Sequence, residues 1–117
     1  DLDLYVGLGG HYPGDIWPNS LYRNNGISGT MLTVKLNGAA PNPSAIGAQV
    51  VLHSGNHVQR SEVQSGGGFG STDSYSLEFG LGKRRQIDSL KVFWPSGKVE
   101  QFGPLPADRP LEFNQIK

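Results

Sequence analysis

Apolar and polar residues alternate along this chain in short bursts, and the spacing is that of strands rather than helices. In the stretch MLTVKLNG, Leu32, Val34 and Leu36 alternate with Thr33, Lys35 and Asn37. Residues 46 to 54 repeat the pattern through Ile46, Ala48, Val50 and Leu52. Tyr75, Leu77 and Phe79 form a third burst, and Gly80 and Gly82 end it. The clearest burst is Ser89 to Trp94, with Leu90, Val92 and Trp94 on one side. Pro95 has no N–H and stops that strand, Ser96 and Gly97 supply turn chemistry, and Lys98 to Phe102 can return as its partner. Residues 57 to 65 are polar on both faces apart from Val58 and Val63, which predicts an edge strand or a bulged one. Leu111 and Phe113 share a face of the last strand. No segment carries a 3.6-residue apolar stripe. About seven short strands predict an all-β fold, an antiparallel β-sandwich with these apolar residues facing inward.

The N-terminal residues stand apart. Leu2 and Leu4 alternate with Asp1, Asp3 and Tyr5, and Ser20 to Arg23 is a second short strand before the Asn24-Asn25-Gly26 turn signal. Two strands are marginal alone in water, so this hairpin needs a sheet to join or a body to lie on. Residues 27 to 30 read as a linker between this piece (1–26) and the sandwich (31–117). Unpaired edges on such a piece also invite pairing with a second copy of the chain.

Composition narrows the chemistry. In 117 residues the net charge is zero, which argues against nucleic acid as a partner. The basic run Lys83-Arg84-Arg85 lies between a glycine stop and a strand and reads as a solvated loop. There is no Cys, which removes disulfides, thiolate catalysis and Cys-based zinc sites. No apolar run is long enough to span a membrane, and no signal peptide opens the sequence. No G-x-S-x-G elbow is present, so no catalytic residues are assigned and the chain is expected not to be an enzyme. His53 and His57 flank a Ser-Gly-Asn turn and could face each other, but no third metal ligand is evident; His11 lies in the N-terminal loop. The run Gly66 to Gly70 lacks the Gly-Lys-Ser/Thr ending of a phosphate loop, and Phe69 within it is expected to tuck onto the core. Trp17, Tyr12 and Phe69 are the candidate ligand-binding residues. Trp17 could also pack the hairpin onto its neighbour.

Two resemblances sharpen this picture. DLDLYV followed by PNSLYRNNG resembles the end of an FG-GAP/VCBS repeat, the blade unit of calcium-binding β-propellers. Asp1 and Asp3 match the tail of that family's calcium loop. Calcium takes about 6–8 oxygen ligands, so the resemblance implies the ion only for a complete upstream repeat and no cofactor here. From residue 31 onward the chain resembles the ASPIC/UnbV domain. The resemblance rests on Ala45-Ile46-Gly47-Ala48, Phe79-Gly80-Leu81-Gly82 and Trp94-Pro95-Ser96-Gly97, in that order, and on the final LPADRPLEF. Ile46, Gly47, Phe79, Gly80, Gly82, Trp94, Pro95 and Gly97 are then structural residues. Domains of this family follow such propellers in bacterial and secreted vertebrate proteins. The resemblance implies an extracellular or cell-surface, non-catalytic interaction or adhesion module, with the upstream propeller and an extracellular protein as partners. A glycan-binding module and a plain structural cap of the propeller are the alternatives.

Overall fold

The computed structural model describes residues 2–10, 12–26 and 29–116. Eleven strands and no helix are found among them. β1 (Leu4–Val6) and β2 (Ser20–Tyr22) form the N-terminal antiparallel hairpin. Seven strands make two larger sheets. One has the order β11-β3-β6, from Leu111–Asn114, Thr30–Asn37 and Leu77–Gly82. The other has the order β5-β4-β8-β9, from His57–Glu62, Gln49–Ser54, Ser89–Phe93 and Val99–Phe102. A small pair, β7 (Gln86–Ile87) with β10 (Leu105–Pro106), closes one end.

The sandwich follows from the alternation. Leu32, Val34 and Leu36 of β3 and Leu77, Phe79 and Leu81 of β6 are buried from one sheet. Val50, Leu52, Leu90 and Val92 are buried from the other, and all belong to one core cluster. Two contacts tie the sheets at opposite edges. The rings of Phe102 on β9 and Phe113 on β11 lie 4.4 Å apart between centroids, and Gln59 Nε2 on β5 donates to the Gly80 carbonyl on β6 at 2.9 Å. β5 is an edge strand, which explains why its sequence carries so few apolar residues.

Pairing is antiparallel except at one place: β11 lies parallel to β3, with Leu111 opposite Val34 and Phe113 opposite Leu36. The Asn37 side chain, one of the residues in that pairing, donates to Glu112 Oε1 at 2.6 Å. This bond, with Lys35 close by, holds the Glu112 carboxyl below its ordinary range.

Several expectations need correction. The strand predicted from Ile46 begins only at Gln49. Residues 45 to 47 form a turn instead, with Ala45 at φ +54 and Gly47 at φ +86. Asn42 clamps it: its Oδ1 accepts from the Ile46 N–H and its Nδ2 donates to the Ile46 carbonyl. A side chain that satisfies both backbone groups of one residue competes with strand pairing, and here it wins. Ile46 is therefore half-buried at the core's margin. Tyr75, expected to face inward, precedes the strand and is 39% exposed. Phe69 is 97% exposed rather than tucked onto the core. Leu105 and Pro106, which carry no readable alternation, pair as β10.

Candidate interaction surfaces

Three surfaces carry side chains that could meet a ligand. On the N-terminal hairpin, Asp3 Oδ1 accepts from the Asn24 N–H at 2.8 Å and so closes the open end of β1 and β2. Asn19 braces the loop, donating to the Tyr5 hydroxyl and accepting from the Leu8 N–H. Around this frame Leu4, Tyr5, Leu21 and Tyr22 are all exposed. A two-stranded sheet has two faces, and neighbouring residues point to opposite ones. Apolar side chains at both members of each neighbouring pair therefore leave both faces greasy. Trp17 is 72% and Tyr12 71% exposed in the connecting loop. Asp1 and His11 lie outside the described residues.

The second surface is a depression of about 520 Å³ between the hairpin and the sandwich, lined by Asp3, Glu62, Asp73 and Glu78 among others. Glu78 is held above the ordinary carboxylate range, first by partial burial and then by the Asp73 charge. The folded state thus holds this proton more tightly than the unfolded chain, and stability falls as pH rises through the raised value. Glu78→Gln should therefore raise the melting temperature at neutral pH. The gain should vanish well below the ordinary carboxylate range, where wild type and variant are both neutral. Thermal melts at the two pH values check this.

The third surface is the end of the sandwich formed by the β4–β5 turn and the β6–β7 turn. The Arg84 N–H donates to the Leu81 carbonyl at 3.1 Å and closes the second turn, with Gly82 at φ +60. Ser54, residues 57 to 59, residues 80 to 82 and Arg84 enclose a depression of about 270 Å³, with His57 and Arg84 in its wall. His53 does not join them. The register sets His53 opposite Val58 and Ser54 opposite His57, so the two imidazoles leave opposite faces of the sheet. The facing pair considered from the sequence is not formed. Among the described residues no group of three or more His, Cys, Asp or Glu is placed to hold a metal ion, and no helix is long and apolar enough to cross a membrane.

The residues assigned structural roles sit in the backbone machinery. Trp94 is 3% exposed at the end of β8, and its Nε1–H donates to Glu100 Oε2. The Gly97 N–H donates to the Trp94 carbonyl at 2.9 Å. Gly97 at φ +87 then completes a turn that returns the chain as β9, with Pro95 exposed at its corner. Phe79 is buried, and Gly80 next to it presents its carbonyl to Gln59. The register shifts between Thr30 and Met31, which face Gly82 and Gly80, so Leu81 is the extra residue of a bulge. The Gly47 N–H donates to the Val63 carbonyl at 2.7 Å and joins the Ala45–Ala48 turn to the stretch after β5.

The family model described as ASPIC and UnbV matches residues 38–117. The chain belongs to the ASPIC and UnbV family. The match covers β4 to β11 and leaves the N-terminal hairpin and the whole of β3 outside. All three motifs that carried the resemblance lie inside the matched ASPIC and UnbV segment. In each, the glycines stand where the backbone turns, bulges or is approached closely, and the apolar residues are buried or border the core. No curated protein is significantly similar to the chain in sequence.

Proposed function

We propose that this ASPIC and UnbV chain is a non-catalytic extracellular interaction module that packs at the C-terminal side of a calcium-binding β-propeller. In this reading the β1–β2 hairpin is the end of the last blade, and the sandwich presents its loops to an extracellular protein. The observation that carries it is the hairpin's two-faced apolar surface, with Leu4, Tyr5, Leu21 and Tyr22 all open to water. Isolated two-stranded hairpins are marginal, and large apolar patches mark docking sites. A blade pairs its strands edge to edge and covers both faces, which is what this hairpin needs. In the isolated chain the same edges are open to a second copy. Calcium belongs to the complete repeat upstream, and no cofactor or catalytic step is assigned to these residues.

The test uses Trp17. A longer protein carrying the preceding repeat should bury this indole, shifting its emission to the blue and shielding it from iodide quenching. If Trp17 is as open to iodide there as in residues 1–117, the propeller reading fails. A second reading, a carbohydrate-binding module, is favoured by the exposure of Trp17 and Tyr12 in one loop, since sugars stack on such rings.

A further inference from the structure

We propose that the end of the sandwich carrying Lys83, Arg84 and Arg85 binds a linear sulfated polysaccharide. This ligand class is separate from the Trp17–Tyr12 surface, and the inference stands whether or not a propeller precedes the hairpin.

The neutral total hides a separation of charge along the strands. β5 runs from His57 to Glu62, and β6 runs from Leu77 and Glu78 to Gly82. The acidic depression of Glu62, Asp73 and Glu78 therefore lies at one end of both strands. His57 and the Lys83–Arg85 turn lie at the other. A six-residue strand is about 17 Å long, and charges in water are screened over about 8 Å at physiological salt. The acidic end thus does little to cancel the basic one.

The basic end is held by backbone bonds rather than left as a loose tail. The Ala107 N–H donates to the Arg85 carbonyl at 2.9 Å and brings the segment containing Arg109 to the same edge. A Cβ built on Gly55 would meet Arg84 Nε and Nη2 at 3.4 Å, so the guanidinium lies against the β4–β5 turn. Gly55 takes φ +60 there. Two carboxylates face this end. Asp88 Oδ2 is engaged by the Gly55 N–H at 2.6 Å, and Asp108 is exposed beside Arg109. The ion pairs formed among the described residues are Lys35 with Glu112 and Lys98 with Glu100. Lys83, Arg84, Arg85 and Arg109 take part in none of them, and all four are exposed.

Charge and shape select the ligand. Arginine forks bind planar or tetrahedral oxyanions with two parallel hydrogen bonds, and a row of such cations suits a chain with repeated anionic groups. Single-stranded nucleic acid would require aromatic rings to stack its bases. The exposed rings of this chain lie on the hairpin, near the glycine-rich loop and at the far end of β8. The same lack of a buried aromatic anchor disfavours a protein partner at this end.

The full 117-residue chain should be retained on immobilised heparin at low salt and released by sodium chloride. Arg84→Ala and Arg85→Ala should each weaken binding about tenfold, the loss expected for one charge-assisted contact. Lys35→Ala, whose ion pair lies on the β3–β11 edge, should change nothing. Arg85→Lys should recover part of the loss. The substituted side chains are exposed, and circular dichroism will establish that each variant is folded. Failure of the folded wild-type chain to bind would overturn the proposal. So would equal losses from Lys35→Ala, equal binding to desulfated heparin, or competition by duplex DNA as effective as by heparin itself.

Discussion

Trp94→Ala will cost about 3–5 kcal/mol of folding stability, the range for removing a large aromatic side chain from a packed core. Trp94 stands just beyond the end of β8, in register with Leu90 and Val92, and only 3% of its surface meets water. Its loss opens a void between the sheets and leaves Glu100 without the indole donor, with only the Lys98 ammonium 3.8 Å away. Trp17→Ala is the control. That ring is exposed, and its removal should change stability by no more than about 0.5 kcal/mol. Urea denaturation followed by circular dichroism separates the two. A loss below about 1 kcal/mol for Trp94→Ala would mean that the indole does not hold the sheets together.

Gly103→Ala will be nearly as damaging, at about 2–4 kcal/mol, through backbone strain and a clash together. Gly103 has φ +127, a region that L-residues with a side chain rarely enter. A Cβ there would lie 2.6 Å from the Asp88 carbonyl oxygen and 2.8 Å from Ser89 Cα. Both are backbone atoms at the start of β8, so no side-chain rotation relieves the contact. Gly97→Ala gives the contrast. Its φ is +87, but nothing lies within 4 Å of the added methyl. That substitution should cost about 1 kcal/mol, from conformation alone. Equal losses at the two sites would show that the approach of residue 103 to β8 is not tight.

The sandwich was legible wherever a strand was long enough to show its period. β3 and β6 each place three apolar residues at alternate positions, β8 places two and Trp94 just beyond its end continues them, and each buries that face. Two-residue strands have no period to read, so β7 and β10 were invisible and the burial of Ile87 went unforeseen. Ile46 misled because its side chain continues the alternation of Ala48 and Val50 while its backbone is captured by Asn42. Parallel pairing of β11 with β3 joins residues far apart in the chain, and no local pattern encodes it. The surfaces were less legible than the fold. Lys83-Arg84-Arg85 is plain in the sequence as a charge run. That the β4–β5 turn and the segment holding Arg109 meet it depends on topology alone. His53 and His57 show the reverse: spacing suggested a pair, and strand register sends them apart.

β3 sits at the middle of its sheet, yet both strands that flank it come later in the chain, and one of them is β11. During synthesis that central strand must wait with one edge open until residues 111 to 114 have been made. Contacts of such long sequence separation slow folding, and exposed edges awaiting a partner are prone to misassembly. The sheet of β3 is therefore sealed only by the last strand of the domain, and its waiting edge needs cover in the interval.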